Sequence, residues 1–223
     1  MSVAVDHLVV AAATLEQGAA WCEATLGVAA GPGGQHPLMG THNRLLKIAG
    51  PAFPLAYLEM IAIDPAAPAP GRPRWFGLDD PALQAMVAQS PRLIHWVARS
   101  TMLDMHRWGL ITVGQRPGDP IKAGRQTPSG SLSWEILVAE DGRLDCEGAL
   151  PTLIQWHSAH PAEAMPDSGV TLQALAVGGV PQRARDVLRP RGISWCDQPG
   201  MVATLKTPLG DVELRSRHED DGD

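Results

Sequence analysis

The sequence predicts an α+β fold built from repeated βαβββ units, on three observations. An apolar strand at the start of the chain runs into a capped, one-faced helix. The same order of strand, helix and strands then returns twice. The 23 Gly and 20 Pro among 223 residues favour many short elements over a few long helices. Residues 3–12 (VAVDHLVVAA) form the first strand, with His7 intruding on it. Thr14, with Gln17 three residues on, is a capping-box signature. Leu15, Ala19, Cys22 and Leu26 make one apolar helix stripe, and Gly27 closes it. Strands at 43–48 and 55–62 complete a first unit, residues 1–66. Residues 67–91 read as a linker whose helix begins at Asp80-Pro81. The second unit, 92–161, has a strand at 93–99, a short helix from Thr101 to Gly109, and strands at 111–115, 131–138 and 151–157. A third, partial unit, 162–216, has a strand at 170–177, a helix from Pro181 to Leu188, a strand at 193–196 and a hairpin at 201–206 and 211–215. Residues 217–223 end a stretch without apolar side chains, where fraying is expected.

Composition narrows the class of function. A net charge of −6 argues against a nucleic-acid surface, which needs clustered Lys and Arg. No run approaches the roughly 18 apolar residues of a membrane helix. The start lacks a basic region ahead of its apolar run, and three Cys without CxxC spacing suggest reduced thiols. A cytoplasmic protein acting on a small molecule is the expectation. No P-loop and no GxSxG elbow is present.

Superposing the first two units places His7 on His95, each followed by apolar residues. The closing strands carry Glu59 (YLEM) and Gln155 (LIQW). A carboxylate inside an apolar strand is costly unless it is paired, protonated or bound to a cation. Two histidines and a carboxylate converging from repeated strands suit a divalent metal with open positions. In SLSWEILV, Leu132, Trp134, Ile136 and Val138 share the apolar face, and Glu135 faces the other way, as a candidate general base or further ligand. Trp96 and Trp156 alternate with His95 and Gln155, which suggests packing against helices. Arg125 in GRQTPSG suits a carboxylate clamp.

The repeat, with VDHLVV in its first strand and YLEMIAID in its fourth, resembles the vicinal oxygen chelate superfamily. Through GlyGlyGlnHis at 33–36 and GlyThrHisAsn at 40–43 it is similar to the bacterial glyoxalase-like domain proteins. The similarity spans residues 3–161 and, more loosely, the third unit. It implies a cupped mixed sheet with helices outside, and a metal held by one residue from the first and one from the last strand of each unit. By position these are His7, Glu59, His95 and Gln155, the last departing from the usual Glu. It further implies a lip over the cup in which His36, His42, Asn43 and Tyr57 bind a polar substrate; the alternative is a turn-rich loop bonded to its own backbone.

Two functions stay open. One is a glyoxalase-like enzyme of lyase or isomerase type, with Zn, Ni, Mn, Co or Fe as Lewis acid on a substrate with adjacent oxygens. The other is a metal-free small-molecule-binding or drug-sequestering protein of the same fold. Units one and two pair either within the chain or across a homodimer.

Overall fold

The computed structural model describes residues 2–127 and 130–217. Residues 218–223 of the expected frayed tail, and residues 128 and 129 of the GRQTPSG loop, lie outside them. The first unit is β1 (Ala4–Ala11), α1 (Leu15–Leu26), β2 (Gly33–His36), β3 (Thr41–Lys47) and β4 (Tyr57–Ile63). A 3-10 turn (Trp75–Gly77) and α2 (Pro81–Gln89) link it to the second: β5 (Arg92–Arg99), α3 (Leu103–Thr112), β6 (Asp119–Thr127), β7 (Gly130–Val138) and β8 (Thr152–Trp156). The short α4 (Pro161–Ala164) leads to β9 (Thr171–Gly178), α5 (Gln182–Leu188), β10 (Ile193–Cys196), β11 (Gly200–Thr207) and β12 (Gly210–Arg215). None of the described helices is long and apolar enough to cross a membrane.

Units one and two join within one chain. Their eight strands form a single curled sheet in the order β2-β3-β4-β1-β5-β8-β7-β6, palindromic about the antiparallel β1/β5 pair. In each unit the first strand lies parallel to the last. The third unit pairs differently. Its sheet runs β10-β9-β11-β12, with β9 parallel to the strand that directly follows its helix. Val177, Ala184, Leu188 and Met201 from this unit pack into the convex-side core with Leu8, Leu58 and Trp96.

Local chemistry explains most boundaries. Thr14 accepts from the Gln17 amide, Gln17 Oε1 accepts from Ala13 N, and Gly27 ends α1 in the left-handed conformation. The strand expected at 111–115 is instead the end of α3 and its turn. Leu103, His106 and Leu110 carry the buried face through Gly109, and Gly114 at φ 84° is the stop. The start of α3 has no side-chain cap of its own. Gln155, 52 residues away, accepts from Leu103 N at 3.1 Å, a cap invisible to local patterning.

The linker enters the concave side. Trp75, Phe76, Leu78, Leu83 and Val87 pack there with Val9, Ile61, Val97, Trp134 and Ile154.

Candidate active site

Strand alternation sends His7, Tyr57, Glu59, Asn43 and Leu45 to the concave face, and from the far edge Trp134, Ile136 and Arg125. Together with His36, Trp75, Phe76, Ile154 and Trp156 they enclose a small cavity with about 40 Å³ of free space, enough for a few atoms or waters.

At its floor is a buried charge cluster. His7 donates from Nδ1 to Asp6 at 2.8 Å, and its Nε2 faces Glu59 Oε2 at 3.4 Å. Asp6, fully buried, also accepts from Trp156 Nε1 (2.9 Å) and His160 Nε2 (3.0 Å), with Arg99 at 3.7 Å. Glu59 accepts from Asn43 at 2.6 Å, and Asn43 Oδ1 in turn accepts from Gly34 N. Tyr57 stacks on the His7 ring at 4.5 Å.

Burial disfavours charge at His7, yet hydrogen bonds to Asp6 and Glu59 outweigh it and raise its pKa to about 9. Burial would lift Glu59, but the hydrogen bond and charge of His7 pull it down to about 2. Asp6 is likewise held well below the carboxylate range, by His160 and His7 against the effect of burial. His36 is the contrast. Burial lowers it to about 4, so it stays neutral, with Nδ1 on Thr41 and Nε2 beside the Asn43 amide.

The sign of the pH dependence follows. A raised His7 stabilises the fold fully below pH 6.5, and this contribution is lost as pH rises through about 9. The lowered carboxylates stabilise above about pH 4.5, and Glu59 loses its share as pH falls through about 2. Urea midpoints are therefore expected to fall at both ends of the scale, and His7→Gln is expected to lack the alkaline fall.

His95 is not brought to this cluster. Its Nδ1 donates to Gly148 O at 2.7 Å, and its Nε2 accepts from Thr152 N at 3.1 Å beside Thr152 Oγ1 at 2.9 Å. Burial lowers its pKa to about 3, and Phe76 lies 5.4 Å from its ring. Register identifies the counterpart of Glu59. Val9 faces Glu59, and Val97 faces Thr152, each strand residue lying two beyond its histidine. The second unit thus carries a His–Thr pair where the first has His–Glu.

Gln155 points away from the cup to cap α3, because alternation on β8 gives the concave face to Ile154 and Trp156. Glu135 also lies outside the cup, bonded to His157 at 3.1 Å with Lys122 at 3.4 Å. It is the apolar row of β7 that turns inward. Trp156 and Trp134 line the cavity, whereas Trp96 packs in the convex core. His42 projects from the opposite face of β3 to Asn43, 3.9 Å from Asp64. Of the expected substrate-binding residues, His36, Asn43, Tyr57 and Arg125 meet at the cavity.

A metal shared by both units needs donors from both. Among the described residues no group of three His, Cys, Asp or Glu side chains is arranged to hold a metal ion. With the His95 lone pair taken up by Thr152, the donor set does not fit the expected four-residue shell. His95→Ala is expected to act on the fold, lowering stability by about 2–4 kcal/mol through a cavity and orphaned Gly148 and Thr152 groups. Urea unfolding checks this; ligand affinity at the cup is expected to persist.

Two residues missed from sequence complete the site. Asp6 should face away from His7, but a register shift between Val5 and His7 turns it inward. His160 caps α4, its Nδ1 accepting from Ala162 N, which leaves Nε2–H for Asp6.

Above the cluster lies an unsatisfied donor set. Arg125 extends the inward row of β6, and among the described residues its buried Nε and Nη1 have no hydrogen-bond partner; Trp75 Nε1 likewise has none among them. Gly34 makes room for the guanidinium, since a Cβ there would lie 2.2 Å from Arg125 Nη1.

The sequence profile described as Glyoxalase-like domain matches residues 5–200. No curated protein sequence matches the chain. Among solved structures, a hypothetical protein from Staphylococcus aureus is similar at a TM-score of 0.58 and 14% identity, covering 96% of this chain and 85% of that one. Methylmalonyl-CoA epimerase from Streptomyces coelicolor gives 0.42 at 17% identity over 70% of this chain and 94% of that one. The Mycobacterium tuberculosis epimerase gives 0.39 at 15%, over 72% and 91%. At these identities the first likeness speaks to fold alone.

Proposed function

Because the chain belongs to the Glyoxalase-like domain family, we propose that it is a small-molecule enzyme of isomerase or lyase type. In this reading it moves a proton at a carbon beside a carbonyl or carboxylate, with Glu59 as base. The observation that carries it is the meeting of an acid–base pair, His7 and Glu59, with the unpartnered donors of Arg125 and Trp75 in one cavity.

The chemistry follows from the contacts. The His7–Glu59 separation of 3.4 Å is loose for a charged hydrogen bond. A substrate oxygen that takes the His7 Nε2–H frees Glu59 from its partner. Burial, the largest influence on Glu59 and one that raises its pKa, then makes it a stronger base. Glu59 takes the proton from carbon, and negative charge builds on the substrate oxygen. His7 Nε2–H, Arg125 and Trp75 Nε1–H are the donors available to it. Asp6 holds the imidazolium in place from behind.

The test is solvent-deuterium incorporation, followed by NMR, across a panel of small 2-oxo and 3-oxo acids. Incorporation that depends on Glu59 supports the reading. Ligand binding without incorporation into any member would instead favour a binding protein without turnover. The specific observation for that alternative is the 2.6 Å Asn43–Glu59 hydrogen bond, which ties down the would-be base.

A further inference from the structure

We propose that the ligand of this cup is amphipathic, with an oxyanion head beneath Arg125 and an apolar tail lying in the groove that opens beside it. The inference rests on the cup being the ligand site and adds the class of molecule that it takes.

The free space over the His7–Glu59 pair, about 40 Å³, admits a head group and little more. It continues into a groove of about 760 Å³, and Leu45, Arg125 and Pro161 line both. That volume lies within the range of sites for drug-sized ligands. The groove runs between the Gly/Pro-rich segment before β3 and the segment around α4. Ala29, Pro32, Leu46, Leu132, Ala164 and Met165 supply an apolar lining.

Several of the charged groups along the groove already have partners. Lys47 pairs with Asp167 at 2.9 Å, His160 bonds Asp6, and Glu163 accepts from the His160 amide. Arg125, at the junction with the cup, keeps buried donors that have no partner among the described residues. A buried guanidinium nitrogen left unpaired is costly, so this end of the groove favours an anion and the remainder favours hydrocarbon. A ligand charged at one end and apolar along its length matches that polarity.

The experiment is calorimetric titration of the full chain with straight-chain carboxylates from acetate to dodecanoate, and with octan-1-ol. Affinity is expected to rise about fourfold per methylene, the equivalent of the ~0.8 kcal/mol for burying one CH₂, until the groove is full. Octanoate is expected to bind more tightly than octanol, and Arg125→Gln to remove that preference while keeping the chain-length slope. Ala164 is exposed and lines the groove but not the cup. Ala164→Trp is expected to flatten the slope and leave short acids unaffected. A flat slope in the unmodified chain, with short acids still bound through Arg125, would overturn the tail and spare the cup. Octanol binding as well as octanoate would overturn the anionic head. Failure of every acid to bind would overturn both this inference and the carboxylate-binding cup beneath it.

Discussion

Asp6→Ala is expected to destabilise the chain by about 3–5 kcal/mol, the scale for removing one partner of a buried ion pair. The carboxylate is fully buried and receives His7 Nδ1, Trp156 Nε1 and His160 Nε2 within 3.0 Å. Removing it leaves His7 Nδ1, Trp156 Nε1 and His160 Nε2 without their acceptor in a buried region, and leaves Glu59 as the carboxylate facing His7. His7 is then expected to relinquish its proton, and its pKa to fall from about 9. Urea unfolding reads the loss of stability, and imidazole NMR reads the loss of charge. Asp6→Asn keeps the shape but turns an amide N–H toward one of these donors, so a smaller loss of the same sign is expected.

Glu59→Gln is expected to slow deuterium incorporation by about 10²–10⁴-fold, the usual contribution of a positioned general base. The amide is isosteric and can still accept from Asn43, so ligand affinity is expected to survive while turnover is lost. The free-energy reading is specific. An interaction made only in the transition state lowers the rate and the specificity constant together, without raising KM. A rise in KM alone would instead mark Glu59 as a binding group.

Much of the fold was legible because local rules governed it. Thr14, Gln17 and Gly27 bound α1, and the apolar rows around His7 and Glu59 mark β1 and β4. The end of α3 is not legible locally, because its buried stripe continues past Gly109 to Leu110 and the turn falls only at Gly114. The site was half legible for the same reason. His7, Glu59, Asn43, Tyr57, His36 and Arg125 line one cavity. Gln155 and Glu135 face away once β7 and β8 turn their tryptophans inward. Asp6 defeated alternation because a bulge reverses its direction. The likeness of His7 and His95 in sequence also concealed their different surroundings. The linker packs Phe76 against His95, and Thr152 stands where the first unit has its carboxylate.

The most direct test of an acid–base site built by the first unit is deuterium incorporation by protein stripped of metal with a chelator. The residues on the cup floor predict that incorporation persists at an unchanged rate after stripping and disappears in Glu59→Gln. Incorporation abolished by the chelator and restored by one divalent ion would contradict the account and return His7 and Glu59 to the role of metal ligands.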